Sequence, residues 1–550
     1  MAGEPVVGLF VREDALEDAV AADGHVTRGN MWGSDEHRER RDAEGPAAPD
    51  VDDGEQAHGE QREVDCQQHS DQAPVHDLGG PDRGNCNRSH QKCRRDAEKD
   101  EPSPSRPRVQ LPGAGQQEGE EARDDASAGT ACHCSSVRLA LYGGRYPPSV
   151  SSRAWTAALA ALVGLRVAIP LVTLAASGHD LPGLPPYDYK PLNGDAAGFY
   201  AEARELISAA FGPAGAGAAL ILGAGAWAAW RLRPRWTAIV AAALAVSLAA
   251  SLLVLATEPA GAAVVGWPLL WAIPLLPLRA AGVLDADLAF AAGFAISLAA
   301  NAVTVVAIAH AGCRASGRRT VGVAAAALFA VWPLLTRPLA GPSAWENGQW
   351  NVDVGLHLYT EPLSTALVAV ALALLLAPRL DELRLALAGA LLGYATVVRV
   401  SNGFLALAAV ALVAYRLGPR RALPLAAAGA AFIPLVAVYW PKGYPEIPNV
   451  PGFSLDQAGR SWADSLIFDP RLLLVLLPLA VLGLFALRPW ASALLGASVA
   501  TNALFYTFYE HTHLHPRFLY ASLPALFVLE AAGGWLVIRK GSGNVRKLGL

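Results

Sequence analysis

From Ala154 onward, apolar runs of 15–24 residues alternate with short polar breaks. A membrane-spanning helix needs about 20 predominantly apolar residues, and repeated runs of that length mark a polytopic membrane protein. The pattern predicts about 12 transmembrane helices, near 154–176, 214–230, 237–256, 288–311, 320–336, 362–378, 385–399, 403–416, 422–440, 472–487, 490–508 and 518–538. The run WPLLWAIPLLPL, Trp267–Leu278, is shorter and broken by proline, and reads as an interfacial or re-entrant helix. Between the first two spans, Ala196, Phe199, Ala203, Leu206, Ile207 and Ala210 recur at helical spacing, with Glu202, Glu205 and Ser208 on the other face. That pattern predicts an amphipathic helix in the membrane interface.

Arginine placement sets the sidedness of this map. Arg231, Arg233 and Arg235, then Arg314, Arg318 and Arg319, then Arg379 and Arg384, then Arg416, Arg420 and Arg421, then Arg488, and finally Arg539, Lys540, Arg546 and Lys547 fall in every second loop. By the positive-inside rule those loops, and both termini, are expected in the cytoplasm. The alternate loops, 177–213, 257–287, 337–361, 399–402, 441–470 and 509–517, then face outward. They hold nearly every carboxylate and histidine of this part of the chain; Asp381, Glu382 and Glu530 are the main exceptions.

Composition divides the chain in two. Residues 1–150 carry 30 of the 49 acidic residues and 17 of the 44 basic ones, a net −13, which leaves +8 for residues 151–550. The first segment lacks apolar periodicity and is rich in Asp, Glu, Gln, Gly, Arg and Pro, so it cannot bury enough apolar area to offset its ordering entropy. It is expected to be disordered, without the basic-then-apolar order of a signal peptide. With Met1 and Met31 the only methionines, Val137 and Val150 are alternative starts, and an over-long gene assignment is a second reading of this segment. Cys66, Cys86, Cys93, Cys132 and Cys134 all lie here, in spacings that match no paired zinc knuckle, and Cys313 stands alone on the membrane half.

Four outer features carry the residues suited to chemistry. Asp195, in NGD at the start of the amphipathic helix, reads equally as an N-cap and as a general base. The stretch AWENGQWNVDVGLHLYTEPLS, Ala344–Ser364, holds Glu346, Asp353, His357 and Glu361 among aromatics that suit stacking on sugar rings, or simply anchoring at the interface. ATVVRVSNGF places Arg399 in a tight outer turn, and YEHTHLHPRFLY places Glu510, His511, His513, His515 and Arg517 at the mouth of the last span. Arginine is always charged and binds phosphate in a bidentate manner, although near an interface it also snorkels. The alternating histidines lack HExxH spacing, so no zinc site is expected. No Walker A loop, GxGxxG after a strand, GxSxG or basic nucleic-acid patch is present, which argues against a nucleotide-driven pump and nucleic-acid binding.

The stretches GDAAGFYAEA (194–203), WPLLWAIPLLPL (267–278), LYTEPLSTALV (358–368) and GALLGYATVVRVSNGFLAL (389–407), in this order and spacing, resemble GT-C-type integral membrane glycosyltransferases. The nearest resemblance is to polyprenyl-phosphate-mannose-dependent mannosyltransferases, the glycosylphosphatidylinositol group and its bacterial relatives. The chain departs from that group at Gly194, where Trp precedes the aspartate, and at Pro362, where a small polar residue is more usual. The resemblance implies an inverting transfer of a sugar, with mannose favoured and arabinose or glucose open, from a polyprenyl-phosphate donor to a lipid, glycan or protein acceptor. In it, Asp195 is the base and Arg399 and Arg517 bind the donor phosphate. Glu346, His357, Glu361, Glu510 and His515 orient substrate, no cofactor is required, and a divalent metal is optional. Two other classes stay open: a secondary transporter or lipid-carrier flippase, which places its charges near the bilayer midplane, and a non-enzymatic membrane scaffold.

Overall fold

The computed structural model describes residues 151–175, 195–257, 265–346, 356, 358–443, 470–508 and 516–547; the side chains of 195, 336–346, 440–443, 470–475, 516–518 and 542–547 are outside that description. All of these residues belong to one compact unit, Cys134–Leu550. The polar segment 1–150, expected to be disordered, lies outside the described residues.

Every regular element among the described residues is helical. In chain order they are α1 (Ser152–Ala175), α2 (Asp195–Ala210), α3 (Pro213–Arg231), α4 (Arg235–Leu255), α5 (Gly266–Ala280), α6 (Ala286–Ser316) and α7 (Arg319–Glu346). Next come α8 (Thr360–Leu375), α9 (Glu382–Val398), α10 (Asn402–Leu417), α11 (Pro419–Ala430), α12 (Ile433–Gly443), α13 (Pro470–Ala486) and α14 (Pro489–Thr507). A 3₁₀ turn, Pro516–Ser522, leads into α15 (Leu523–Lys547).

Each of the twelve apolar runs coincides with helix, as a polytopic membrane protein requires, because lipid offers no partner for an open backbone. Among the described residues, five stretches are long and apolar enough to cross a bilayer: α1, α4, α6, Pro419–Tyr439 and Leu519–Gly541. The α2–α3 pair, bent by 81°, makes a sixth if it counts as one span. Several of the others run shorter. Helices α8, α9 and α10 have 16, 17 and 16 residues, whereas a hydrocarbon layer of about 30 Å calls for about 20. The sharp α2–α3 corner depends on Gly215, where a side chain would run into the Ala210 carbonyl. The proline-rich run forms a continuous helix: α5 keeps Pro274 and Pro277 inside it and buries Trp267, Trp271 and Leu275 completely.

Two apolar cores result. The larger one packs α6, α7, α8 and α9 with α13, α14 and α15 around Phe329, Leu372, Leu392 and Phe527. The second joins α2, α5, the start of α6, Leu356, Leu358, Tyr359 and the end of α9 around Phe199, Leu206, Trp267, Trp271 and Val398. The two ends of the bundle differ in chemistry. At one, Arg318 stacks 3.9 Å from the Trp535 ring, Arg416 stacks 4.6 Å from the Trp490 ring, and Trp490 Nε1 donates to the Leu375 carbonyl at 3.1 Å. At the other, the Tyr394 hydroxyl donates to the Gly266 carbonyl at 2.7 Å, tying α5 to the end of α9 where Arg399 follows.

Candidate functional site

Glu361 sits in the first turn of α8, and Arg399 is the residue that caps the C-terminus of α9. Each charge has the sign that its helix end favours, a carboxylate at the positive end and a cation at the negative end. The turn after α9 is tight: Arg399 takes an extended backbone, and Asn402 already opens α10. This brings Arg399 Nη1 to 2.7 Å from Glu361 Oε1, with both residues almost fully buried.

Neutral groups extend the pair. Arg399 Nη2 donates to the Tyr506 hydroxyl at 3.0 Å, and that oxygen lies 3.0 Å from Ser401 Oγ. The Thr360 hydroxyl donates to the second Glu361 oxygen at 3.4 Å. Asn402 Nδ2 donates to Ser364 Oγ at 2.8 Å and to the Ala395 carbonyl at 2.9 Å. A guanidinium stays protonated at any accessible pH, and here the Tyr506 and Glu361 oxygens both accept from it. Arg399 is therefore a permanent cation. Desolvating two ions costs several kcal/mol each unless geometry and extra hydrogen bonds offset it, and a short contact with neutral neighbours on both partners is such a geometry.

Helix α2 reaches this pair through aromatics. Phe199 meets the Tyr359 ring edge-on at 6.5 Å and 83°, and Tyr359 is the N-cap of the helix that carries Glu361. Tyr200 contacts Trp271 at 5.7 Å, and Trp271 Nε1 donates to the Ala289 carbonyl at 2.9 Å. Asp195 is the first residue of α2, one helical turn before Phe199, and its side chain is outside the description. The amphipathic reading of α2 needs one correction. Glu202, expected on the polar face, is 2% exposed. The cause is enclosure from two sides, since α3 and α4 also pack against α2, so its buried arc is wider than its apolar stripe.

Of the remaining sequence candidates, Glu346 is the last residue of α7 and Arg517 lies in the 3₁₀ turn, both without described side chains. His357, Glu510 and His515 lie outside the described residues. The structure thus brings Glu361 and Arg399 together and adds Tyr506, Ser401, Asn402 and Ser364 around them. Tyr506 falls inside the apolar run 490–508, where hydropathy gives no hint that it faces a charge, whereas Asn402 stands in the predicted outer turn 399–402.

A second polar cluster escaped the sequence reading altogether. Arg166, inside α1, is 1% exposed. Its guanidinium donates to Asn301 Oδ1 at 3.0 and 3.2 Å and to the Tyr520 hydroxyl at 2.6 Å, and lies 4.5 Å from the Phe329 ring centroid. The signal was present: an arginine in the interior of a predicted span is expensive, and so marks a functional or structural partner. Tyr506 and Tyr520, which receive hydrogen bonds from the two buried arginines, flank the histidine-bearing stretch on either side. Glu530, inside α15, is 1% exposed, and neither of its carboxylate oxygens has a hydrogen-bond partner among the described residues.

No protein-family model, curated protein or solved structure matches the chain.

Proposed function

We propose that this protein is an integral membrane glycosyltransferase of the GT-C type, which moves a sugar from a polyprenyl-phosphate donor to an acceptor hydroxyl. The observation that carries this reading is the meeting, at one end of the bundle, of a fixed carboxylate–guanidinium pair, Glu361–Arg399, with the aromatic contact that leads to the Asp195-bearing helix. The positive-inside rule assigns the opposite, arginine-rich end to the cytoplasm and this end to the outer face.

In the proposed reaction the acceptor oxygen attacks the anomeric carbon as the bond from that carbon to the phosphate oxygen breaks. The hydroxyl proton passes to the Asp195 carboxylate, polyprenyl phosphate departs, and the anomeric configuration inverts. A phosphate leaving group needs no strong general acid, so one carboxylate base suffices, unlike the two that glycoside hydrolysis uses. Arg399 and Arg517 stabilise charge that develops on the phosphate, with Glu361 and Tyr506 fixing the Arg399 guanidinium in place. Glu346, His357, Glu510 and His515 orient sugar and acceptor, and mannose is the favoured sugar.

The test is Asp195→Asn, assayed for sugar transfer in membranes at matched expression. Loss of transfer supports Asp195 as base; undiminished transfer removes it from that role. The rival reading, a secondary transporter or lipid-carrier flippase, draws on Arg166 and Glu530, two ionisable groups buried inside spans.

A further inference from the structure

A groove of about 410 Å³ opens between α1, α6 and α8. One wall is a stripe on α6: Val303, Val306, His310 and Arg314 follow one another at helical spacing. Val163 on α1 and Val370 on α8 complete the apolar part. Val303 and Val306 are 45% and 37% exposed, so the groove opens sideways from a helix apolar enough to span the membrane, where the surrounding medium is lipid.

The polarity of this stripe is graded. Its first two positions are apolar and its last two carry an imidazole and a guanidinium, over about 16 Å at 1.5 Å per residue. Both polar groups are positioned by the protein: His310 packs edge-on against Trp155 at 6.0 Å and 71°, and Arg314 donates to the Ala373 carbonyl in the opposite wall. Arg314 and His310 stand at the arginine-rich end, together with Arg318 on the Trp535 ring and the exposed Arg153 near the start of α1. An apolar channel with a cation at its interfacial end matches one kind of molecule in shape and charge: an acyl chain with a phosphate at its head. Basic pockets between spans on the positive side are suited to anionic lipid head groups.

We propose that this groove binds an anionic phospholipid from the leaflet at the arginine-rich end, with one acyl chain along Val303 and Val306 and the phosphate against His310 and Arg314. The site lies at the end opposite Glu361–Arg399 and is independent of the transferase reading. It needs only that the chain be embedded in a bilayer.

Native mass spectrometry of the purified full-length protein tests this, with phosphatidylglycerol and phosphatidylcholine of identical acyl chains as probes. The expected result is retention of phosphatidylglycerol on the wild type under conditions that strip phosphatidylcholine. Arg314→Met weakens that binding about fivefold, as a surface-level contribution of about 1 kcal/mol per basic residue implies. Ala302→Phe, which fills the groove without altering charge, abolishes it and keeps the proposal testable if the arginine variant fails to fold. Equal retention of the two lipids by the wild type overturns the proposal, as does undiminished phosphatidylglycerol retention by the folded variants. Preferential capture of a polyprenyl phosphate over phosphatidylglycerol at equal concentration overturns it in favour of a carrier-lipid site.

Discussion

Glu361 and Arg399 lie 2.7 Å apart at the facing ends of two neighbouring helices, and the Tyr506 hydroxyl holds the arginine from a third. Removing one partner of such a pair strands a buried charge, which costs about 3–5 kcal/mol, whereas removing both strands none. Glu361→Leu and Arg399→Leu are each expected to lower the thermal midpoint of the solubilised protein more than the double variant does. Additive losses in the double variant would contradict the pairing.

Arg166 is a second anchor of this kind. Arg166→Met leaves Asn301 Oδ1 and the Tyr520 hydroxyl buried without this donor, at about 1–3 kcal/mol for each unsatisfied group. Tyr520→Phe removes only one side of one bond. The expected order of thermal midpoints is wild type, then Tyr520→Phe, then Arg166→Met. A wild-type midpoint for Arg166→Met would show that the cluster carries no stability.

Glu530 is the reverse case, a buried carboxyl group without a hydrogen-bond partner among the described residues. Burial without a partner is costly, and an apolar replacement of similar volume relieves that cost. Glu530→Leu is therefore expected to raise the thermal midpoint and leave sugar transfer unchanged. Loss of activity in a folded Glu530→Leu protein would favour the transporter reading, in which an intramembrane carboxylate moves protons or ions.

Helices α13 and α15 approach closely through glycines: a side chain at Gly483 would meet the Leu529 carbonyl, and one at Gly533 the Leu479 carbonyl. Small residues at a helix interface let two backbones touch. Gly533→Ala is expected to cost about 1–3 kcal/mol by overpacking, read as a lower thermal midpoint without a change of donor preference. An unaffected midpoint would show that the two helices separate at no cost.

The helices were legible because hydrophobic runs report where backbone must satisfy itself, and every run from 154 onward coincided with helix. Individual side-chain environments were not. Hydropathy averages over a window, so a single Arg166 or Glu530 vanishes among its apolar neighbours. Helical periodicity placed Glu202 on a solvent face because it cannot know that α3 and α4 fold back over α2. Arg399 and Glu361 were both singled out, but from the sequence they held separate roles. Only the turn between α9 and α10 reveals that one neutralises the other.

The central claim is sugar transfer from a lipid carrier, and one measurement addresses it most directly. Membranes containing the protein are incubated with radiolabelled polyprenyl-phosphate sugars, and the label is followed from the carrier to the acceptor fraction. The account predicts that label moves with the wild type, mannose most readily, and stays on the carrier with Asp195→Asn. Label that stays on every carrier, while a labelled solute or intact carrier crosses the membrane, would contradict it.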